Sequence, residues 1–277
     1  MKRVLFFLCL ALPLAANTLD EAKQLLATHH PGEARSLLEH AVTSEPQNAE
    51  VWLLLGNCQR QLGDSNAALS AYEKALDVAP SNPTVLFELG TLCCELSGQR
   101  RSLSLAFKGR NLLEKAVEIC PQHNGAREWL IGFYRGAPWI AGGSLKKARR
   151  HAAAMTAYAP ERSFILGNEL ALQDQDYDQA FAQIDAWLLQ RPDDLAGLYQ
   201  LGLTCAQSGQ RSAAGIKALE KVLAGAPPEN PGAEKIHLQL GLLNKRAGNK
   251  AEARRQFEAG LKAKPDDKPL QDALASL

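Results

Sequence analysis

Six histidines, a handful of cysteines and a trio of alternating aspartates are the residues of this chain with chemistry to offer. The histidines, His29, His30, His40, His123, His151 and His237, are spread along the whole length, and no serine or cysteine stands in a nucleophile motif beside a base. Covalent and acid–base catalysis therefore lack their usual sequence signature. His29-His30 runs into Pro31-Gly32, which reads as a solvated turn with at most adventitious metal affinity. Asp174, Asp176 and Asp178 alternate like part of a calcium loop, but its glycine and its bidentate glutamate are missing. Negative charge there suits the start of a helix instead. Gly142-Gly143 ahead of a helix offers backbone amides without matching either nucleotide-loop spacing. The expectation is a protein that is not an enzyme and carries no metal and no cofactor.

The elements that hold these residues are helical. Of 277 residues, Ala and Leu make up nearly a third, Val and Ile together number 14, and aromatics number 17. That supply favours helix over sheet. With 31 basic against 30 acidic side chains there is no basic excess of the kind nucleic-acid binding needs. Met1-Lys2-Arg3 followed by an apolar run from Val4 to Leu14 reads as a signal peptide spanning 1–16, cleaved near Ala16. The run is too short for a bilayer span of ~20 residues and contains Pro13. The expected location is then the periplasm of a Gram-negative bacterium, with 29 basic and 30 acidic residues in the mature chain and no membrane span.

Prolines recur at Pro46, Pro80, Pro121, Pro160, Pro192, Pro227 and Pro265. The spacing of about 34 residues is that of a helical hairpin repeat. Trp52, Leu55, Gly56, Gly63, Ala68, Tyr72, Ala75 and Pro80 are matched at the same offsets by Leu240, Gly241, Gly248, Ala253, Phe257 and Pro265. This pattern resembles the tetratricopeptide repeat, with partial copies covering nearly all of the mature chain. The resemblance implies an all-α, right-handed superhelical solenoid of about seven hairpins. Their spans are 17–48, 49–82, 83–123, 124–160, 161–194, 195–230 and 234–267, with a capping helix over 268–277. Gly56, Gly90, Gly132, Gly202 and Gly241 are expected where the first helix of a hairpin meets the second, since a missing Cβ lets backbones approach. Trp52, Tyr72, Phe164 and Phe257 are expected to fill the wedges, and the prolines to end each second helix.

Two stretches depart from the repeat. Residues 99–107 add about seven positions, expected between the two helices of their hairpin. The loop from Gly136 to Gly143 carries Trp139 and Ile140, expected to fold back over the hairpin, the alternative being a partner-binding knob or a hinge. Among the cysteines of the mature chain, Cys58 falls level with Cys93 or Cys94 in the next first helix, which leaves a disulfide open. Small core residues are the commoner role of helical cysteines.

In this family the first helices line a concave groove. Carried over residue by residue, the groove comprises Leu53, Asn57 and Arg60; Phe87, Thr91 and Cys94; Trp129 and Phe133; Ile165, Glu169 and Leu172; Tyr199 and Leu203; and Leu238, Leu242 and Lys245. The expected partner is a protein or peptide held by aromatic anchors, in an exported scaffold of envelope assembly. Recognition of a chaperone tail is disfavoured because Leu53 takes the position of the clamp lysine, although Asn57 matches. The alternative is a small-molecule-binding or substrate-delivery subunit of an envelope transporter, with a closed pocket walled by Trp129, Phe133 and Trp139.

Overall fold

A computed structural model describes residues 12–225 and 232–277, with side chains from Thr18 onward. The expected signal segment through residue 11, and Pro227, lie outside the described residues. Those described form fifteen α-helices and no strand. They are α1 (Leu12–Ala27), α2 (Pro31–Ser44), α3 (Ala49–Gln61), α4 (Ser65–Val78), α5 (Pro83–Arg100), α6 (Leu103–Ile119), α7 (Asn124–Gly136), α8 (Leu145–Ala153), α9 (Pro160–Gln173), α10 (Tyr177–Gln190), α11 (Leu195–Ser208), α12 (Ser212–Gly225), α13 (Ala233–Arg246), α14 (Lys250–Ala263) and α15 (Lys268–Ala275). The chain divides into two compact units, one running to Ser144 and the other starting at Leu145. In the first, α1/α2, α3/α4 and α5/α6 pack as hairpins and α7 lies against α6. In the second, α8 packs on α9, followed by α9/α10, α11/α12 and α13/α14, with α15 on α14.

Helix starts are written into the sequence. Asn48, Asp64, Asn82, Ser102, Asp176, Asp194 and Asp267 each accept a hydrogen bond from a backbone N–H of the first turn that follows, satisfying donors that have no partner inside the helix. Asp176 thus opens α10, the role expected for the aspartate trio, while Asp174 pairs with Arg149 at 2.6 Å. Gly63, Gly209 and Gly248 occupy the turns within hairpins at φ of 81°, 78° and 84°, a region closed to most side chains.

The core is built on one recurring contact. A Cβ on Gly56 would overlap the Tyr72 ring, one on Gly202 would overlap Leu219, and one on Gly241 would overlap Phe257. At Gly90 it would stand 2.9 Å from Leu113 Cγ and 3.2 Å from the carbonyl of Gly109. Each is a glycine of a first helix facing a large residue of the second. Tyr72, Leu113, Leu219 and Phe257 are fully buried; Tyr72 also packs with Leu89, Leu92 and Leu96 of α5, and Phe257 with Leu270 of α15, so each of these two faces its own glycine and fills the wedge toward the next element as expected.

Three expectations change here. The extra residues of 99–107 make no long connection. They lengthen α5 and α6 to 18 and 17 residues, leaving a turn of Arg101 and Ser102 with Arg101 at φ 50°. Pro160 ends no helix, because α8 stops at Ala153 and Pro160 takes the first position of α9, where its missing N–H costs nothing. Nothing stands within 4 Å of the place of a Cβ on Gly132, so the glycine is not required there by a close contact.

Cys58, Cys93, Cys94, Cys120 and Cys205 are all unpaired. Cys58 donates its S–H to the Pro31 carbonyl at 2.7 Å. Burial pushes the Cys94 thiol up to about 12, helped by Cys93 and Glu95, and the Cys205 thiol up to about 11. Thiolates, the reactive form, are thus suppressed at both.

Two predictions follow from the packing. Gly56→Ala and Gly241→Ala, despite the better helix propensity of alanine, are expected to lose about 1–3 kcal/mol from overpacking, whereas Gly132→Ala gains up to about 1 kcal/mol. Urea unfolding of the three variants checks the contrast in sign. For the thiols, a folded value raised above the ordinary 9.0 makes a contribution that is complete below about pH 9 and lost as pH rises through the folded value. Cys205 should therefore lower stability between pH 9 and about 11, an effect that Cys205→Ala removes in unfolding titrations across that range.

Candidate functional site

Where α7 presents Gly132 without a knob, a cavity of about 880 Å³ opens. Its walls come from the lengthened ends of α5 and α6 (Ser97, Gly98, Leu103, Ala106) and Arg101 of the turn between them, from α7 (Gly125, Glu128, Trp129, Phe133), and from Ala137, Pro138 and Ala141 of the loop after α7. Phe87 reaches it from the first half of α5. The extra turns of α5 and α6 thus supply one wall and the helix without a knob supplies the other. Phe87 stacks at a tilt on His123, ring centroids 4.7 Å apart, and Phe133 meets Tyr134 edge-on at 5.6 Å. Tyr134 is fully buried and donates its hydroxyl to Glu114, which fixes the face of α7 behind Phe133. The Trp129, Phe133 and Phe87 side chains are half-buried, so each leaves apolar surface for a ligand to cover.

The loop after α7 is a closed turn. Trp139–Ala141 is a single 3₁₀ turn, with the N–H groups of Ala141 and Gly143 donating to the Pro138 carbonyl and that of Gly142 to Trp139. Ser144 N–H donates to Tyr134 at 2.8 Å, which ties the loop to α7. Gly142 sits at φ 91°, and a Cβ on Gly143 would overlap the Ala137 carbonyl. Both glycines are demanded by this shape. Ala141 is buried, whereas Trp139 is 85% exposed and Ile140 58%. The expected fold-back of these two side chains is overturned, because the backbone closure spends the inward position on Ala141.

Of the residues carried over from the family pattern, Phe87, Cys94, Trp129 and Phe133 come together in this cavity. Several of the others have partners elsewhere. Arg60 donates to Glu88 at 3.0 Å and also to Glu95, pinning α3 to α5. Burial pushes the Glu88 carboxyl up despite that partner. Asn57 accepts the Tyr72 hydroxyl at 2.7 Å, and Leu53 packs on the cluster around Tyr72 and Leu89. Tyr199 packs on the core around Leu198 and Leu219, and Leu203 on Ala171, Leu172 and Ala180. Lys245 donates to the Ser276 carbonyl and hydroxyl at 2.9 and 2.8 Å, holding the C-terminal turn. Ser97, Gly98, Leu103 and Ala106 line the cavity although the family pattern does not single them out. Their helical spacing with Cys94 and Gly109 was the available signal.

Helical hairpins of about 34 residues, joined through a glycine and a knob, define the tetratricopeptide class, and the comparisons agree. The tetratricopeptide-repeat family matches residues 19–83 and 59–93 with one profile and 234–267 with another. This chain is a tetratricopeptide-repeat protein. No curated protein matches its sequence. Among solved structures it is similar to a tetratricopeptide repeat protein from Parabacteroides merdae, 18% identical, over 94% of this chain and 97% of that one with a TM-score of 0.62. It is also similar to the C-terminal part of a repeat protein from Cytophaga hutchinsonii, 13% identical, over 92% and 99% with a TM-score of 0.65. At these identities the likeness is one of fold.

The turn yields a prediction. Gly143→Ala is expected to cost more than about 2 kcal/mol by forcing the Ala137 carbonyl away, while Trp139→Ala, which removes only solvated surface, stays within about 0.5 kcal/mol. Thermal and urea unfolding of the two variants measures both.

Proposed function

We propose that the chain is an exported scaffold that binds another protein, taking an apolar side chain or helix edge of that partner into the cavity lined by Phe87, Trp129 and Phe133. The observation that carries this reading is the cavity itself: beside Gly132, where nothing stands within 4 Å of the place of a Cβ, half-buried aromatics line an open space. Tetratricopeptide repeats are interaction modules, and aromatic residues in a concave, desolvated site are the usual anchors of an interface. Export rests on the cationic start and apolar run of 1–16. Among the described residues no helix is long and apolar enough to cross a membrane. The transporter-subunit reading called for a closed pocket with Trp139 in its wall. Trp139 instead stands in solvent and the cavity is open, which favours a protein partner.

Fractionation of cells making the full chain tests export: a periplasmic product beginning after Ala16 is expected, and an uncut cytoplasmic one would sink that part. For the interaction, a photo-crosslinking residue at Gly98 should capture a protein in the intact envelope. Trp129→Ala or Phe133→Ala should weaken capture by about 2 kcal/mol or more, roughly thirtyfold. Gly132→Leu, which pushes a side chain into the floor of the cavity while favouring helix, should weaken capture with the fold intact. Undiminished capture by Gly132→Leu would rule the site out.

A further inference from the structure

The seam between α9 and α10 departs from its neighbours in another way. The glycine of the first helix is Gly167, and the residue facing it is Gln183, whose Oε1 lies 3.1 Å from the place of a Cβ. Four other seams have Tyr72, Leu113, Leu219 or Phe257 at this point. A carboxamide is less bulky than an aromatic ring and polar, and a cavity of about 540 Å³ remains, bounded by α8, α9 and α10 within the second compact unit.

The lining is charged in one sense. It contains Arg149 and Arg191 and no aspartate or glutamate. Arg149 is tethered through one Nη to Asp174 at 2.6 Å, while its Nε–H is buried and meets no acceptor. The Arg149 side chain is still 31% exposed, so the guanidinium presents positive charge to the cavity, to which an incoming oxyanion is drawn. The Arg191 guanidinium lies over the Trp187 ring, 4.2 Å from its centroid. That ring stacks on Phe164 with centroids 4.5 Å apart and planes 6° apart, and its N–H donates to Asp194 at 2.7 Å. The aromatic wall is thus held rigid, and Gln179 and Gln183 add neutral groups that both donate and accept.

We propose that this cavity binds a small hydroxylated carboxylic acid of about sugar size, its carboxylate on Arg149 and its hydroxyls on Gln179 and Gln183. The volume falls within the ~300–1,000 Å³ of small-molecule sites, and a lining with two guanidinium groups and no carboxylate suits a single carboxylate on the ligand. The site shares no residue with the cavity beside Gly132, so the two assignments stand or fall separately.

Isothermal titration of the full chain with gluconate and with glucuronate provides the test, with glucose and acetate as controls lacking the charge or the hydroxyls. At least one of the acids is expected to bind once per chain, with glucose and acetate weaker by about tenfold or more. Arg149→Gln should lose about tenfold or more in affinity. Gln183→Leu, which replaces the carboxamide with an apolar side chain of similar size, should weaken binding about tenfold or more while keeping or raising the melting temperature. Because that variant stays folded, it decides the matter even if Arg149→Gln does not. No heat from either acid, acetate or glucose binding as well as the acids, or unchanged affinity in Gln183→Leu would overturn the assignment.

Discussion

The contact between a glycine on one helix and a large side chain on the next sets the spacing of this molecule. A helix pair that shares a Cβ-less position can close until the facing ring or isobutyl group touches backbone, and the buried knob then supplies the hydrophobic area that holds the pair. Gly56 with Tyr72, Gly90 with Leu113, Gly202 with Leu219 and Gly241 with Phe257 are four instances of one solution. In each the small residue and the large one are coupled, because a larger residue at the glycine or a smaller one at the knob leaves the seam overfilled or hollow.

Hollow seams are the places where this protein has room for something else. Beside Gly132, where nothing stands within 4 Å of the place of a Cβ, the added turns of α5 and α6, with Phe87, Trp129 and Phe133, surround an apolar space. At Gly167 the knob is an amide, and the space beside it is polar and basic. One scaffold rule, broken in two ways, therefore produces two cavities of opposite character. Closure of the Pro138–Gly143 turn adds a third feature, an ordered display of Trp139 and Ile140 that no part of the core covers.

Charged groups follow the same logic of shared service. Arg60 reads on the sequence as a groove cation, yet it is held between Glu88 and Glu95. Lys245 is occupied by the C-terminal turn. A side chain at groove spacing is free only if the neighbouring helix brings no acceptor to it, and that neighbour comes from another repeat about 30 residues away. Phe87, Trp129 and Phe133 remain available because they border an open space whose walls come from three helices.

Helix type, helix starts and the repeat period are local properties, set by propensity, by Asn, Asp and Ser caps and by glycine at positive φ, so the sequence alone determined them. It also determined that Gly56, Gly90, Gly202 and Gly241 would sit at helix crossings, since their offsets recur. The tertiary structure decided what faces each glycine. It turned the added residues 99–107 into helix, left Gly132 open, put Gln183 opposite Gly167 and turned Trp139 outward. Those outcomes depend on which atoms compete for the same volume and the same hydrogen bonds, and such competition arises only when distant segments are brought into contact.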